Sequence, residues 1–131
     1  MILLDTHAWL WLAASPQRLS RVAVAAIEDA MRLGGIAIAS VTLLETAWLM
    51  SRRRLGFPGT SEAALARMVH DTGVVVRDIT PAVAVVMMDF ATALPGDPID
   101  RLIAATARAE GLKLVTRDRK IQASRLVETV W

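Results

Sequence analysis

The sequence predicts an α/β fold in which a central parallel sheet is covered by helices on both faces. Short apolar runs alternate along the chain with longer segments of helical periodicity. Strands buried on both faces read as continuous apolar runs, and helical crossovers join parallel neighbours. No repeat, linker or low-complexity tract interrupts this pattern, so residues 1–131 are expected to form one domain.

Five segments have the composition of buried strands. Each is short, apolar and bounded by turn or cap residues, which favours a strand over a helix. The predicted strands are Ile2–Leu4, Ile36–Ala39, Val74–Arg77, Leu112–Val115 and Leu126–Val130.

Six helices are predicted between these strands, and most have a recognisable start or stop. Ser, Thr or Asp precedes four of them as an N-cap, and glycine ends three of them. The N-caps are Ser20, Ser40, Thr80 and Asp97, and the stops are Gly34-Gly35, Gly73 and Gly111. The predicted helices are Thr6–Ala14, the segment from Ser20 to Gly34, Val41–Arg53, Ser61–His70, a helix beginning at Pro81, and Pro98–Glu110.

Composition indicates a cytoplasmic protein that does not enter a membrane. No apolar run reaches the roughly 18 residues that a membrane span requires, and Met1 leads into an apolar strand without the basic region of a secretory signal. Cysteine is absent, which excludes disulfides and a thiol nucleophile. The chain is 54% hydrophobic with a mean hydropathy of +0.43, which suggests that another chain covers part of its surface.

The charge balance is compatible with a polyanionic partner. If five of the thirteen acids form one metal site, the eight that remain face fifteen lysines and arginines. A basic surface favours nucleic acid, and arginine suits phosphate. An arginine-rich solvated surface explains the same composition, so charge alone leaves both readings open.

Five acidic residues occupy strand ends or helix starts. They are Asp5, Glu45, Asp97, Asp100 and Asp118. Because ligands bind at the carboxyl ends of parallel strands, Asp5 and Asp118 are expected to lie close together. Carboxylate oxygens suit Mg²⁺ and Mn²⁺, and a cluster of them indicates metal-assisted phosphoryl chemistry.

Each acid also has a structural explanation. Asp5, Asp97 and Asp118 are good N-caps, and Asp100 at the third helical position completes a capping-box pattern. Capping accounts for both Asp97 and Asp100 without a metal, but their i, i+3 spacing also brings both carboxylates within reach of one cation. Asp100 is the better candidate ligand, and Asp97 is either a further ligand or only a cap. Glu45 is hardest to explain without a cation, because it shares a helix face with apolar residues; the alternatives are an ion pair with an arginine or a helix rim facing water.

Several further residues complete the predicted site. Thr6 and Thr116 are predicted to orient the carboxylates, and four basic side chains are predicted to contact phosphate. These four are Arg101, Arg117, Arg119 and Lys120. The tryptophans are expected in the core or at a dimer face, and the run Arg52–Arg54 is explained by the helix dipole. The alternative for the tryptophans is base stacking, and the alternative for Arg52–Arg54 is binding to an RNA backbone.

The chain resembles the PIN-domain ribonucleases, in particular the toxin component of VapBC-type toxin–antitoxin pairs. The resemblance covers essentially the whole chain and rests on four motifs that occur in order along it. They are Met1-Ile-Leu-Leu-Asp5-Thr6-His7, Ser40-Val-Thr-Leu-Leu-Glu45-Thr-Ala, Asp97-Pro-Ile-Asp100-Arg-Leu-Ile-Ala-Ala-Thr-Ala107, and Leu114-Val-Thr116-Arg-Asp118.

The resemblance implies a PIN-like three-layer fold and a Mg²⁺- or Mn²⁺-dependent endoribonuclease. In that family's mechanism Asp5, Glu45, Asp100 and Asp118 would be catalytic, and Asp5, Asp97, Asp100 and Asp118 would hold the metal. It also implies a homodimer and inhibition by a small cognate antitoxin. The apolar helices near the N-terminus and at Val41–Arg53 are the expected docking faces for that antitoxin.

Three other functions are compatible with parts of the pattern. A catalytically silent interaction module of the same fold would keep the helices and strands without the chemistry, and a metal-dependent DNA nuclease would share the site. A phosphoacceptor receiver domain is disfavoured, because Asp5 stands alone and Lys113 lies inside a strand.

Overall fold

The computed structural model describes residues 1–131, and its secondary structure alternates between strands and helices. The strands are β1 (Ile2–Leu4), β2 (Ile36–Ala39), β3 (Val75–Arg77), β4 (Lys113–Val115) and β5 (Thr129–Val130). The helices are α1 (Thr6–Ala14), α2 (Arg21–Leu33), α3 (Ser40–Ser51), α4 (Ser61–Thr72), α5 (Pro81–Ala93), α6 (Pro98–Ala109) and α7 (Arg119–Ser124), with a single 3-10 turn at Pro16–Arg18.

All strand pairs are parallel, and the sheet order is β3-β2-β1-β4-β5. Strand β1 therefore lies at the centre, with Leu4 beside Ile38 of β2 and Val115 of β4. Strand β4 ends level with β1, whereas β2 continues one residue further to Ala39. The residues that follow β1 and β4 therefore emerge side by side at one edge.

Alternate residues of β1 point to opposite faces of the sheet and enter two separate cores. Leu3 packs in the core formed with α5 and α6, whereas Ile2 and Leu4 pack in the core formed with α1 and α2. Helices therefore cover both faces, which confirms the predicted three-layer α/β architecture.

The start of α3 differs from the prediction. Ser40 was expected to cap this helix, but it is the first helical residue, and Ala39 holds the cap position without a side-chain hydrogen bond. The reason is that β2 runs straight into α3 with no connecting loop. Ala39 is buried in the core at this junction, where a polar cap would lose its hydration.

Smaller differences concern element ends. Helix α3 stops at Ser51 because Arg53 takes a left-handed conformation with φ of 54°. Helix α4 continues two residues past the predicted His70, to Thr72, before Gly73 ends it at φ of 65°. No helix is long and apolar enough to cross a membrane.

Candidate active site

The two acids that follow neighbouring strands lie at the same sheet edge, as predicted. Asp5 follows β1 and its backbone N–H donates to the carbonyl of Val115, the last residue of β4, at 3.0 Å. Asp118 follows β4 by three residues. The parallel register of β1 and β4 is therefore what brings residues 113 positions apart to one place.

A pocket of about 370 Å³ opens at this edge and is lined by all five predicted acids, Asp5, Glu45, Asp97, Asp100 and Asp118. The remaining lining residues are Thr6, His7, Trp11 and Arg117. Only one of the nine is hydrophobic, so the pocket is a polar cleft suited to a charged ligand.

Three of the acids cap helices as well as line the pocket. An oxygen of Asp5 accepts the N–H of Ala8 at 2.6 Å, and one of Asp97 accepts the N–H of Ile99 at 2.8 Å. Asp118 accepts two backbone N–H groups at the start of α7, at 2.6 and 3.0 Å. In each case the capping hydrogen bonds go to Oδ1, so the same carboxylate can both cap a helix and line the pocket.

Glu45 has no partner for its buried oxygen. Its Oε2 is inaccessible to solvent and accepts no hydrogen bond, and no arginine pairs with the side chain. Both structural explanations, an arginine ion pair and a rim facing water, are therefore excluded for this oxygen. A buried unpaired carboxylate oxygen is costly, and a bound cation would remove that cost.

Asp100 carries the clearest electrostatic signature in the pocket. Burial, and after it the charges of Asp118, Asp97, Glu45 and Asp5 in decreasing order, together raise the pKa of Asp100 from 3.8 to about 6. The four other acids all act on this one carboxyl group, which shows that they share a single electrostatic environment.

Asp5 is the most buried of the five acids. Burial raises the pKa of Asp5 above its ordinary value, while hydrogen bonds from the Thr116 side chain and from the Ala8 N–H lower it. The Thr116 hydroxyl also accepts the N–H of Asp118 at 3.0 Å, so it lies between the two strand-end acids. This position is consistent with the orienting role predicted for Thr116.

Thr6 makes a different contact from the one expected. Its hydroxyl donates to Thr42 of α3 at 3.4 Å rather than to the carboxylate of Asp5. Thr42 is fully buried and ties α1 to α3, the helix that carries Glu45. Sequence reasoning missed Thr42, and likewise Gln122, whose amide donates to the Thr116 carbonyl at 2.9 Å.

The four predicted phosphate-binding residues are placed unequally. Arg117 lines the main pocket, and Lys120 lines an adjoining cavity together with Asp97, Asp100 and Asp118. Arg119 is exposed and lines neither.

Arg101 contacts the loop that precedes α6. Its guanidinium donates to the carbonyls of Leu94 and Gly96, at 3.1 and 3.4 Å. Arg101 does not line the pocket, because its guanidinium is hydrogen-bonded to this loop instead.

The carboxylates surround the pocket without closing into a coordination group, because no three His, Asp or Glu side chains are close enough together to hold a metal ion. The donor chemistry nevertheless fits a hard divalent cation: the oxygens are carboxylate, one is buried without a partner, and their charges destabilise one another.

Comparison with known proteins gives consistent matches. Residues 2–125 match the family model described as PIN domain. Ribonuclease VapC22 of Mycobacterium tuberculosis is 42% identical over 135 residues, which cover 99% of this chain and 98% of that protein.

Solved structures show the same fold at lower identity. VapBC2 from Rickettsia felis, bound to a promoter DNA fragment, matches with a TM-score of 0.76 at 18% identity, covering 98% of this chain and 97% of that one. DNA-bound VapBC from Salmonella typhimurium matches with a TM-score of 0.71 at 18% identity, with the same coverage of both chains. A toxin–antitoxin complex from Klebsiella pneumoniae has a TM-score of 0.64 at 24% identity, covering 94% and 91%.

Proposed function

The chain belongs to the PIN-domain family, and we propose that it is a divalent-metal-dependent endoribonuclease that acts as the toxin of a toxin–antitoxin pair. The family assignment confirms the resemblance seen in the sequence. The ribonuclease activity is supported by the name of the relative at 42% identity. The observation that carries the metal dependence is the buried oxygen of Glu45, unpartnered in a pocket lined by four aspartates.

Each residue of the pocket has a proposed task. Asp5, Glu45, Asp100 and Asp118 would hold Mg²⁺ or Mn²⁺, with Asp97 as a further ligand that also caps α6. When bound, such an ion supplies positive charge to a phosphodiester and makes water a better nucleophile near neutral pH.

The protein's own groups position the RNA. Arg117 and Lys120 place cationic groups beside the carboxylates, where they would bind the phosphates on either side of the scissile bond. Thr116 holds Asp5 and Asp118 in fixed relative positions. Attack by water on phosphorus would leave a 5′-phosphate and a 3′-hydroxyl.

Two protein partners are part of the proposal. A small cognate antitoxin is supported by the structural neighbours, which are toxin–antitoxin complexes. An apolar groove of about 400 Å³ between α3, α4 and β3, lined by Leu43, Leu65, Val69 and Val76 among others, would receive it. A second copy of the chain is the other partner, supported by exposed apolar side chains such as Val85 and Met88 on α5.

The decisive test compares RNA and DNA as substrates of the purified chain, with Mg²⁺, with Mn²⁺ and with EDTA. We expect RNA to be cut only with metal, leaving 3′-hydroxyl ends, and Asp100→Asn to abolish cutting. Asp89→Asn is the matched control, because Asp89 is an exposed acid on α5 outside the pocket. Preferential cutting of DNA would show that the substrate is DNA rather than RNA. Absence of any cutting would favour a catalytically silent interaction module.

The antitoxin groove is tested separately by co-purification. Leu65→Asp is expected to release the small protein encoded beside this chain, because it places a charge in the apolar groove. Ile79→Asp, at an exposed apolar residue outside the groove, should retain it. Equal retention by both variants would remove the groove from the proposal.

A further inference from the structure

A second hollow adjoins the carboxylate pocket and has a different character. Its volume is about 340 Å³, and it is lined by Leu44, Glu45, Trp48, Asp97 and Ile99. Glu45 and Asp97 also line the carboxylate pocket, so the two share a wall. Anything seated in the apolar hollow would therefore lie directly beside the proposed site of cleavage.

The hollow presents an aromatic ring to solvent. Leu44 and Trp48 lie one turn apart on α3, and they are 66% and 48% exposed. Only the arginine side chains at the end of α3 lie over the Trp48 ring, whereas Trp9 and Trp11 are buried. Trp48 is thus far more exposed than Trp11, the tryptophan that lines the carboxylate pocket.

Positive charge surrounds this ring. The guanidinium groups of Arg52 and Arg54 lie 5.5 and 5.7 Å from the centre of the Trp48 ring, within cation–π range. Neither pairs with a carboxylate, so both can bind phosphate. The left-handed conformation of Arg53, with φ of 54°, bends the chain at the end of α3 and keeps this arginine run next to the ring.

We propose that Trp48, with Leu44 and Ile99, forms a stacking subsite for one unpaired base of the RNA beside the scissile phosphate, and that Arg52 and Arg54 bind the flanking phosphates. The subsite deepens the proposed function and rests on it. An aromatic face with adjacent arginines is the recurrent platform for single-stranded nucleic acid. Protein interfaces, in contrast, are depleted of Asp and Glu, whereas two of the five residues that line this hollow are carboxylates.

The subsite predicts that the protein prefers unpaired RNA. Stacking needs a base withdrawn from a helix, because the faces of a paired base are already covered by its neighbours. It is tolerant of base identity, because every base has a π face. Sequence choice would therefore arise elsewhere in the cleft, and the substrate at this position would be a loop or a single strand.

The test measures binding without cleavage, by fluorescence anisotropy in EDTA. A short oligoribonucleotide is compared with a polymer of the same length that lacks bases. We expect Trp48→Ala to weaken binding of the oligoribonucleotide by roughly 5- to 150-fold, the range for the loss of one stacked base. Binding of the abasic polymer should be unchanged by the same substitution.

Three variants separate stacking from other effects. Trp48→Phe retains a flat ring and should bind nearly as the wild type does. Met31→Ala removes an exposed apolar side chain on α2, outside the hollow, and should have no effect. Arg52→Gln should weaken binding of both polymers. It should also reduce the slope of log affinity against log salt concentration by about 1, the change expected for the loss of one phosphate contact.

The contrary results are equally specific. The subsite is overturned if the wild type binds both polymers alike, or if Trp48→Ala weakens both by the same factor. It is also overturned if Trp48→Ala leaves RNA binding intact but dissociates a dimer in light scattering, since the face would then serve self-association. If Trp48→Ala weakens binding of the oligoribonucleotide alone, but the protein cuts no RNA with metal, the subsite is supported and the endonuclease proposal is rejected.

Discussion

Replacing Asp100 by asparagine is expected to stabilise the protein when no divalent cation is bound. The pKa of Asp100 rises from 3.8 to about 6 on folding, through burial and through four neighbouring acids. The folded state therefore holds the proton more tightly than the unfolded state, and ionisation of this group favours unfolding. This penalty is absent below pH 3.8, grows as the pH rises towards 6, and is fully present above that.

The size of the effect follows from the shift. At about 1.36 kcal/mol per pKa unit, the difference between 3.8 and about 6 corresponds to about 3 kcal/mol. Asp100 is only half-buried, so solvent screening reduces the expected gain to about 1–2 kcal/mol. For a chain of 131 residues this raises the melting temperature by about 3–10 °C.

Thermal unfolding in EDTA measures this gain directly. The wild type, Asp100→Asn and the control Asp89→Asn are compared at about pH 7.5 and at about pH 4, where the gain should be largely lost. Asp89→Asn should follow the wild type at both values, since Asp89 lies outside the pocket. The reasoning is refuted if Asp100→Asn melts at or below the wild-type temperature at the higher pH.

Three further substitutions test the cation site and the fold. Glu45→Gln should require roughly tenfold more Mg²⁺, or more, for the same rise in melting temperature; an unchanged midpoint would show that the unpartnered oxygen binds no cation. Leu3→Ala should cost about 2–5 kcal/mol in urea unfolding, since Leu3 is fully buried in the central strand; a loss below about 1 kcal/mol would contradict the core assignment. Gly73→Ala should cost about 1 kcal/mol through its φ of 65°, because no atom lies near the added methyl group; equal stability would show that the helix end rearranges freely.

The convergence of the acids could be predicted because parallel sheets have a simple geometry. Asp5 follows an apolar run, Asp118 comes three residues after another, and the register of β1 with β4 brings the two together. The apolar environment of Glu45 was likewise visible in its neighbours one turn away. These inferences needed only strand type and helical periodicity, which are local properties of the sequence.

Other features depend on tertiary contacts that the sequence does not display. The buried Thr42 contacts Thr6 across two helices, and Arg101 turns towards loop carbonyls that precede its own helix. The exposed ring of Trp48 is indistinguishable in sequence from the buried rings of Trp9 and Trp11. Ser40 misled the prediction because β2 runs directly into α3, which moves the cap position to the last strand residue, Ala39.

The measurement that tests the central claim most directly is Mn²⁺ binding, followed by electron paramagnetic resonance during titration of the purified chain. We expect the wild type and Asp89→Asn to bind Mn²⁺ alike, and Asp5→Asn to bind it far more weakly. That result would establish that the acids at the ends of β1 and β4 form one cation site. Equal binding by all three proteins, or none by the wild type, would contradict the account.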